Sequence, residues 1–214
     1  MVDLPDAFQH WFAARGWLPH AHQLDMVAAA EAGRSALLIA PTGGGKTLAG
    51  FLPSLIELHA APREGLHTLY VSPLKALAVD IARNLMAPIE EMGLPIRVET
   101  RTGDTPANRR ARQREAPPHI LLTTPESLVL LLSLPEAKHL FAGLRAVVVD
   151  EAHALAGTKR GDQLALGLAR LAVLAPAARR VGLSATVNHP EALRAWLSPT
   201  AKAQDVALVR AAPG

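Results

Sequence analysis

The chain has 214 residues, of which 50% are hydrophobic and 19% are charged, so it has enough apolar surface for a sizeable core and is not a disordered chain. It contains no cysteine, which excludes a disulfide framework, a thiolate zinc site, a thiol nucleophile and a CxxC redox pair, and agrees with a cytoplasmic location. The formal net charge of +3 permits a polyanionic partner without requiring one.

The N-terminal region lacks the basic start and apolar run of a signal peptide, so we expect no export signal. The most apolar stretch, residues 128–132, is far shorter than the roughly 20 residues that a membrane-spanning helix needs. The sequence therefore predicts no membrane association.

Two helices are predicted before the first strand, over residues 5–17 and 21–32. Three aromatic side chains in this region have helical spacing, so we expect them to pack between helices rather than to stack on bases: Trp11, Phe12 and Trp17. We treat residues 1–34 as an N-terminal segment that packs on a single larger domain, residues 35–214.

After this segment, short apolar runs alternate with longer helical stretches. Strands are predicted over residues 36–39, 68–71, 96–99, 120–122, 146–149, 181–183 and 205–209. Helices are predicted over residues 46–59, 75–91, 125–132, 163–174 and 190–197. This alternation predicts an α/β fold with a central, mainly parallel sheet, whose strands end in small, polar or acidic residues that line a ligand crevice.

A glycine-rich loop over residues 40–47 lies between the first predicted strand and a helix. In this context the motif indicates a P-loop that binds ATP through Thr42, Gly43, Gly44, Gly45, Lys46 and Thr47. Backbone N–H groups surround the phosphates, Lys46 reaches the β- and γ-phosphates, and the Thr47 hydroxyl binds Mg²⁺. The chain has Ala40 where the consensus begins with glycine, and the alternative is a glycine-rich turn without nucleotide.

An acidic pair, Asp150 and Glu151, directly follows the predicted strand 146–149. A P-loop needs a second acidic site for the metal, so Asp150 is predicted to hold Mg²⁺ through water. Glu151 and Lys46 are predicted as catalytic residues, because a carboxylate at position 151 can orient and deprotonate the water that attacks the γ-phosphate. The alternative is a solvated acidic pair at a strand end.

Together with the P-loop, the Asp-Glu-Ala-His tetrad at 150–153 and the Ser-Ala-Thr segment at 184–186 resemble the first RecA-like motor domain of superfamily 2 helicases, of the DEAH-box type. The resemblance implies that Ser184 and Thr186 couple nucleotide state to the grip on nucleic acid. It also implies that His153 links them to the metal site.

Upstream, Trp17, Pro19 and Gln23 resemble the Q motif of the same superfamily, in which a glutamine amide pairs with the adenine edge. This resemblance implies that Gln23 belongs to the ATP site.

Three further strand ends resemble the nucleic-acid motifs of these helicases. They imply contacts from Pro73, Leu74, Lys75, Thr102, Gly103, Asp104, Thr124, Pro125 and Glu126. Hydroxyls, a lysine and N–H groups at helix starts grip phosphate and sugar without reading sequence. For Thr124 and Pro125, the alternative is a helix N-cap followed by proline at the first helical position.

The amino-acid sequence of four segments is similar to that of the bacterial large helicase-related (Lhr) family, especially its ligase-associated branch. These segments are residues 41–47, 72–77, 101–105 and 151–161. This resemblance implies ATP-driven 3′ to 5′ translocation along single-stranded DNA and a place in DNA repair. An RNA motor remains an alternative, because motifs that grip the backbone do not report the sugar.

Superfamily 2 motors close ATP between two RecA-like domains, and the second supplies an arginine finger. The chain lacks that second domain, which we expect to be its partner. The chain alone is therefore expected to bind Mg-ATP and DNA weakly, to hydrolyse ATP slowly and not to unwind a duplex. The alternative is a nucleotide-responsive binding module without turnover.

Two basic segments remain, residues 108–114 and the pair Lys159 and Arg160. Each either contacts DNA phosphates or belongs to a solvated helix surface, as charge runs usually do. The nine histidines show no spacing typical of a zinc site.

Overall fold

The computed structural model describes residues 3–73, 81, 85–185 and 187–212. The strands are β1 (Ser35–Ile39), β2 (Thr68–Val71), β3 (Val98–Arg101), β4 (Ile120–Thr123), β5 (Ala146–Val149), β6 (Arg179–Ser184) and β7 (Val206–Arg210). The helices are α1 (Asp6–Ala14), α2 (Ala21–Glu31), α3 (Lys46–Ala60), α4 (residues 85–91), α5 (Ala107–Glu115), α6 (Pro125–Leu132), α7 (Ala137–Phe141), α8 (Ala152–Leu155), α9 (Lys159–Leu174) and α10 (Pro190–Leu197).

The strands form one seven-stranded sheet in the order β3-β4-β2-β5-β6-β1-β7. Every pairing among the described strands is parallel, which confirms the α/β fold class predicted from the alternation of strands and helices. Parallel pairing places all carboxyl ends at the same edge of the sheet. That edge carries the residues predicted to bind nucleotide and nucleic acid.

Two apolar cores cover the two faces of the sheet, because successive strand residues point to opposite sides. Tyr70 and Val148 belong to the core that includes the buried residues of α3. Leu69 and Val149 belong to the core that includes the buried residues of α6 and α9. Each helix layer is therefore fixed to the sheet through a continuous apolar contact.

The N-terminal helices pack against this framework, with α2 lying on α3 and beside β1. Trp11 and Phe12 are buried, as predicted from their spacing. Trp17 is 47% exposed, and it packs against the ring of Trp11 edge-on, with the ring centroids 5.9 Å apart. The expectation of a packed position is therefore only partly correct for Trp17, because α1 ends at Ala14 and the chain turns before residue 17.

Some predicted boundaries differ from the structure. The third strand begins at Val98 rather than at 96, because Ile96 forms a turn with its amide bonded to the Leu94 carbonyl at 2.8 Å. Helix α9 begins four residues before the predicted start, because the Thr158 side chain caps it by accepting from Gly161 N at 3.1 Å. Most of the predicted helix 75–91 lies outside the described residues.

Within the described ranges, no helix combines the length and the apolar character that crossing a bilayer requires.

Candidate nucleotide and nucleic-acid site

The P-loop leaves β1 at the carboxyl edge of the sheet and leads directly into α3. Gly43 and Gly45 have φ of +80° and +70°, a left-handed conformation that glycine adopts without steric cost. The turn brings successive backbone groups to the start of α3, where N–H groups and the helix dipole favour an anion. Ala40 is not among the residues with positive φ, so the loop does not require the consensus glycine there.

Lys46 begins α3 and is 9% exposed. Its Nζ donates a hydrogen bond to the Ala40 carbonyl at 3.1 Å, so the ammonium group is held across the mouth of its own loop. Thr47 follows it and lines the groove beside the loop. The structure thus brings together the two P-loop side chains that the sequence predicted to contact phosphate and metal.

The acidic pair follows β5, the strand next to β2. Asp150 is 5% exposed, its amide donates to the Val71 carbonyl at 2.9 Å, and its Oδ1 accepts from Glu151 N at 2.9 Å. Burial, with a smaller contribution from the Glu151 charge, raises the pKa of Asp150, although the nearby Tyr70 hydroxyl and Lys46 ammonium act to lower it. A cation beside this carboxylate would therefore relieve a desolvation cost.

The surroundings of Asp150 suit a magnesium ion. Thr47 and Asp150 offer a hydroxyl and a carboxylate, the hard oxygen donors that Mg²⁺ prefers together with phosphate and water. The buried Tyr70 hydroxyl lies near the Asp150 carboxylate and is a further polar group at this site. Among the described residues, no group of three or more His, Asp or Glu is placed so that it could hold a metal ion.

His153 connects the acidic pair to the end of β6. Its Nδ1 lies 3.1 Å from Ser184 Oγ and accepts from the Ala185 amide at 3.4 Å. An amide can only donate, so the ring proton belongs on Nε2, which lies 3.3 Å from Glu151 Oε2. Three of the predicted residues thus form one chain of contacts. Thr186 lies outside the described residues.

Gln23 lies next to the P-loop, but part of its amide is already engaged. It is 2% exposed, and its Oε1 accepts from the His20 amide at 2.9 Å, which caps α2. Its Nε2 approaches Gly45 so closely that a Cβ at that glycine would lie 2.9 Å away. A groove of about 1030 Å³ opens beside these residues, between the N-terminal helices and the loop, and Trp17 and Pro19 line it.

Those predicted nucleic-acid residues that the structure describes lie at the ends of β3, β4 and β2, which are neighbours in the sheet. Thr124 caps α6, with its Oγ1 accepting from Ser127 N at 3.4 Å, and Pro125 occupies the first turn, as in the alternative considered above. The 102–104 loop is closed by the Thr102 amide donating to Thr105 Oγ1 at 2.9 Å. Leu74 and Lys75 lie outside the described residues.

The arginine run 108–114 lies mostly in α5 and is largely occupied by contacts within the chain. Arg109 and Arg112 each pair with Glu99 at 3.2 Å. Arg110 Nη2 donates to the Gly103 carbonyl at 2.5 Å. These contacts favour the structural alternative for this segment over a row of phosphate contacts.

For Arg160 the sequence left open a DNA phosphate contact or a solvated helix surface, and it did not predict the contacts that Arg160 makes within the chain. Its guanidinium bridges Glu126 and the Pro73 carbonyl, at 2.6 and 2.7 Å. Pro73 precedes Arg160 by 87 residues, so no local pattern could have indicated the contact.

Comparisons with known proteins show the family to which the chain is similar. A family model described as DEAD/DEAH box helicase matches residues 20–194. The chain is 47% identical over 204 residues to "Lhr helicase/ probable uracil glycosylase" of Mycolicibacterium smegmatis, covering 89% of this chain and 14% of that protein. It is 43% identical over 202 residues to "ATP-dependent helicase Lhr-Core protein 2" of Thermococcus barophilus, covering 87% of this chain and 23% of that protein.

Among solved structures, the Mycobacterium smegmatis helicase Lhr bound to ssDNA and AMP-PNP matches with a TM-score of 0.88 and 43% identity. The match covers 99% of this chain and 28% of that one. The chain thus spans less than a third of each of these relatives.

Proposed function

This chain belongs to the DEAD/DEAH box helicase family, and on that premise we propose that it is the ATP-binding motor domain of an Lhr-type, ATP-dependent 3′ to 5′ DNA helicase. One observation carries the proposal. Apart from Gln23 on α2, the described residues that we assign to nucleotide lie at the ends of β1, β5 and β6, and those that we assign to nucleic acid lie at the ends of β3, β4 and β2, along the same edge of one sheet.

We assign the phosphates of ATP to the P-loop, residues 42–47. Backbone N–H groups and the start of α3 offset the phosphate charge, and Lys46 exchanges its bond to the Ala40 carbonyl for the β- and γ-phosphates. Thr47 and Asp150 hold Mg²⁺, which supplies charge neutralisation at the phosphates when bound. We also assign Gln23 to the adenine side of the site, where its Nε2 is the part of the amide not used to cap α2.

Glu151 orients the attacking water and accepts its proton, because its carboxylate follows the metal-binding Asp150 directly. The Nε2 of His153 lies 3.3 Å from the Glu151 carboxylate and restrains it. Because Nδ1 of the same ring contacts Ser184, a shift of Glu151 would also shift Ser184. Ser184 and Thr186 then report nucleotide state to the nucleic-acid half of the edge.

We propose single-stranded DNA as the substrate, supported by the similarity to the helicase Lhr whose solved structure is bound to ssDNA. An RNA motor is the alternative, because contacts to the phosphate backbone do not show whether the sugar carries a 2′-hydroxyl. Competition by DNA and RNA strands of equal length distinguishes the two. A place in DNA repair, membership of the ligase-associated branch and a cytoplasmic location belong to the same proposal.

The chain alone is proposed to bind ATP and DNA weakly and to hydrolyse ATP slowly, because the arginine finger of such motors comes from a second RecA-like domain. Residues 1–34 are proposed to pack as part of this first domain. A binding module without turnover is the competing description of the chain.

Titration and hydrolysis of Mg-ATP, with and without single-stranded DNA, test the proposal on the native chain, Lys46→Ala and Glu151→Gln. We expect binding that requires Lys46 and hydrolysis near background in all three proteins. Arg194→Ala, at the opposite edge of the sheet, is the control for nonspecific loss. Fast hydrolysis that requires Glu151 would contradict the expectation for the isolated chain. Binding unaffected by Lys46→Ala would contradict the ATP site.

A further inference from the structure

Arg160 joins the ends of two neighbouring strands. Its Nη2 donates to the Pro73 carbonyl, which follows β2, at 2.7 Å. Its Nε and Nη2 donate to the two carboxylate oxygens of Glu126, in the first turn of α6 after β4, at 2.6 and 3.2 Å. The hydrogen bond from Arg160 holds the pKa of Glu126 below its ordinary value. One planar guanidinium therefore fixes the spacing between two loops predicted to bind nucleic acid.

The backbone that presents Arg160 is itself tightly held. Thr158 Oγ1 donates to the Leu155 carbonyl at 2.7 Å and accepts from the Gly161 amide at 3.1 Å. Gly161 lies so close to Leu155 that a Cβ there would be 1.9 Å from the Leu155 carbonyl oxygen. The first turn of α9 is thus locked onto α8, the helix that follows Glu151. Arg160 therefore extends from the first turn of α9, which is fixed to the part of the sheet edge that carries the proposed nucleotide residues.

The groups that Arg160 contacts are both unfavourable neighbours for a phosphate. A carbonyl oxygen and a carboxylate would repel a nucleic-acid backbone, and the guanidinium uses its donors to satisfy them. We infer that Arg160 is a positioning residue, which holds the backbone at Pro73 and the start of α6 at a fixed separation for one nucleic-acid strand. This inference rests on the proposed function, because it assumes that these loops bind the strand.

The test measures the affinity of the chain for a fluorescently labelled single-stranded DNA by anisotropy, at several salt concentrations. The proteins are the native chain, Arg160→Ala, Arg160→Lys, and the control Arg194→Ala. Arg194 is a matched control because it also pairs with a glutamate, Glu191, and donates to a carbonyl, that of Val206, at the opposite edge of the sheet. Thermal unfolding and Mg-ATP affinity report whether each variant keeps its fold.

If Arg160 positions the loops, Arg160→Ala weakens DNA binding about fivefold, the scale of a lost hydrogen bond, and leaves the salt dependence unchanged. Arg160→Lys stays weak, because an ammonium group cannot reproduce the fork-shaped contact with Glu126 and Pro73. Arg194→Ala binds DNA like the native chain. A direct phosphate contact predicts the opposite: a salt slope reduced by about 1 in Arg160→Ala, and recovery in Arg160→Lys.

A double-mutant cycle with Glu126→Gln gives a second readout in which the general effect of removing a negative charge cancels. Positioning through Glu126 predicts that Arg160→Ala costs less in the Glu126→Gln background than in the native chain, whereas additive effects would overturn the inference. If the native chain binds DNA and Arg160→Ala binds equally well, only this inference fails. If the native chain does not bind DNA at all, the proposed function fails with it.

Discussion

The Nδ1 of His153 lies 3.1 Å from the Oγ of Ser184. This contact joins α8, the helix after the acidic pair, to the end of β6. Because Nε2 of the same ring lies 3.3 Å from Glu151, the imidazole is the only bridge that the described contacts provide between the proposed base and the Ser-Ala-Thr segment. Coupling between ATP binding and DNA binding should therefore depend on the His153 ring.

We predict that His153→Ala reduces this coupling. In the native chain, a nonhydrolysable ATP analogue should change the DNA affinity by about fivefold or more, and in His153→Ala the two affinities should become nearly equal. Anisotropy with and without the analogue measures the ratio. His139→Ala, an exposed residue in α7, is the matched control. A native ratio retained in His153→Ala would show that coupling runs by another route.

Gly45 offers a second test, because it combines a left-handed backbone with a close neighbour. Its φ is +70°, and a Cβ there would lie 2.9 Å from Gln23 Nε2. Gly65 has φ +86° with nothing within 4 Å of a Cβ. Both alanine variants should lose about 1–2 kcal/mol of unfolding free energy from backbone strain. Only Gly45→Ala should also weaken ATP binding, by about tenfold or 1.4 kcal/mol. Urea unfolding and nucleotide titration measure the two effects, and equal ATP affinities in the two variants would contradict the prediction.

Thr124 should contribute to stability through its cap on α6. Thr124→Ala removes the oxygen that accepts from Ser127 N and should cost about 1 kcal/mol in urea unfolding. Thr124→Ser keeps a hydroxyl at the same position and should retain most of that stability. If the serine variant unfolds as readily as the alanine variant, the hydroxyl does not act as a cap.

The ion cluster around Glu57 predicts a loss of stability in acid. Burial alone would raise the pKa of Glu57, but the contacts from His67 and Arg179 outweigh it and hold the pKa below its ordinary value. A depressed folded-state pKa stabilises the fold above the unfolded-state pKa, and this contribution disappears as the pH falls through the folded-state pKa.

The unfolding free energy should therefore fall as the pH decreases below about 4.3, the ordinary pKa of glutamate. Glu57→Gln should be less stable than the native chain at neutral pH, and the difference between the two should shrink over this acidic range. Urea unfolding across pH measures both proteins. A difference that does not change with pH would remove Glu57 as its source.

The parts of the fold predicted well from sequence are those determined by local patterns. Helix α6 has the predicted limits, because Thr124 and Pro125 form a cap and Ser133 with Pro135 follows the apolar run. The P-loop could be recognised for the same reason, since its strand, glycines and helix are contiguous in the chain.

The contacts that sequence reasoning missed depend on distant residues. The partners of Arg160 are set by the order of the strands, which brings β2 beside β4 although β3 lies between them in the chain. The cap that Gln23 forms on α2 is a different case, because its partner His20 lies only three residues earlier. The sequence analysis assigned the Gln23 amide to adenine and did not predict this local role.

The hydrogen bond from the Asp150 amide to the Val71 carbonyl crosses the boundary between the two halves of the sheet edge. A buried parallel ladder resists shear, so the proposed nucleotide and strand-binding halves move together as one stiff plate. A conformational change driven by ATP would then appear as a rigid-body rotation of this domain relative to another domain, with little distortion of the sheet. Distance pairs placed across β2 and β5 should stay constant through the cycle, which makes this domain a fixed reference frame for measuring motion elsewhere.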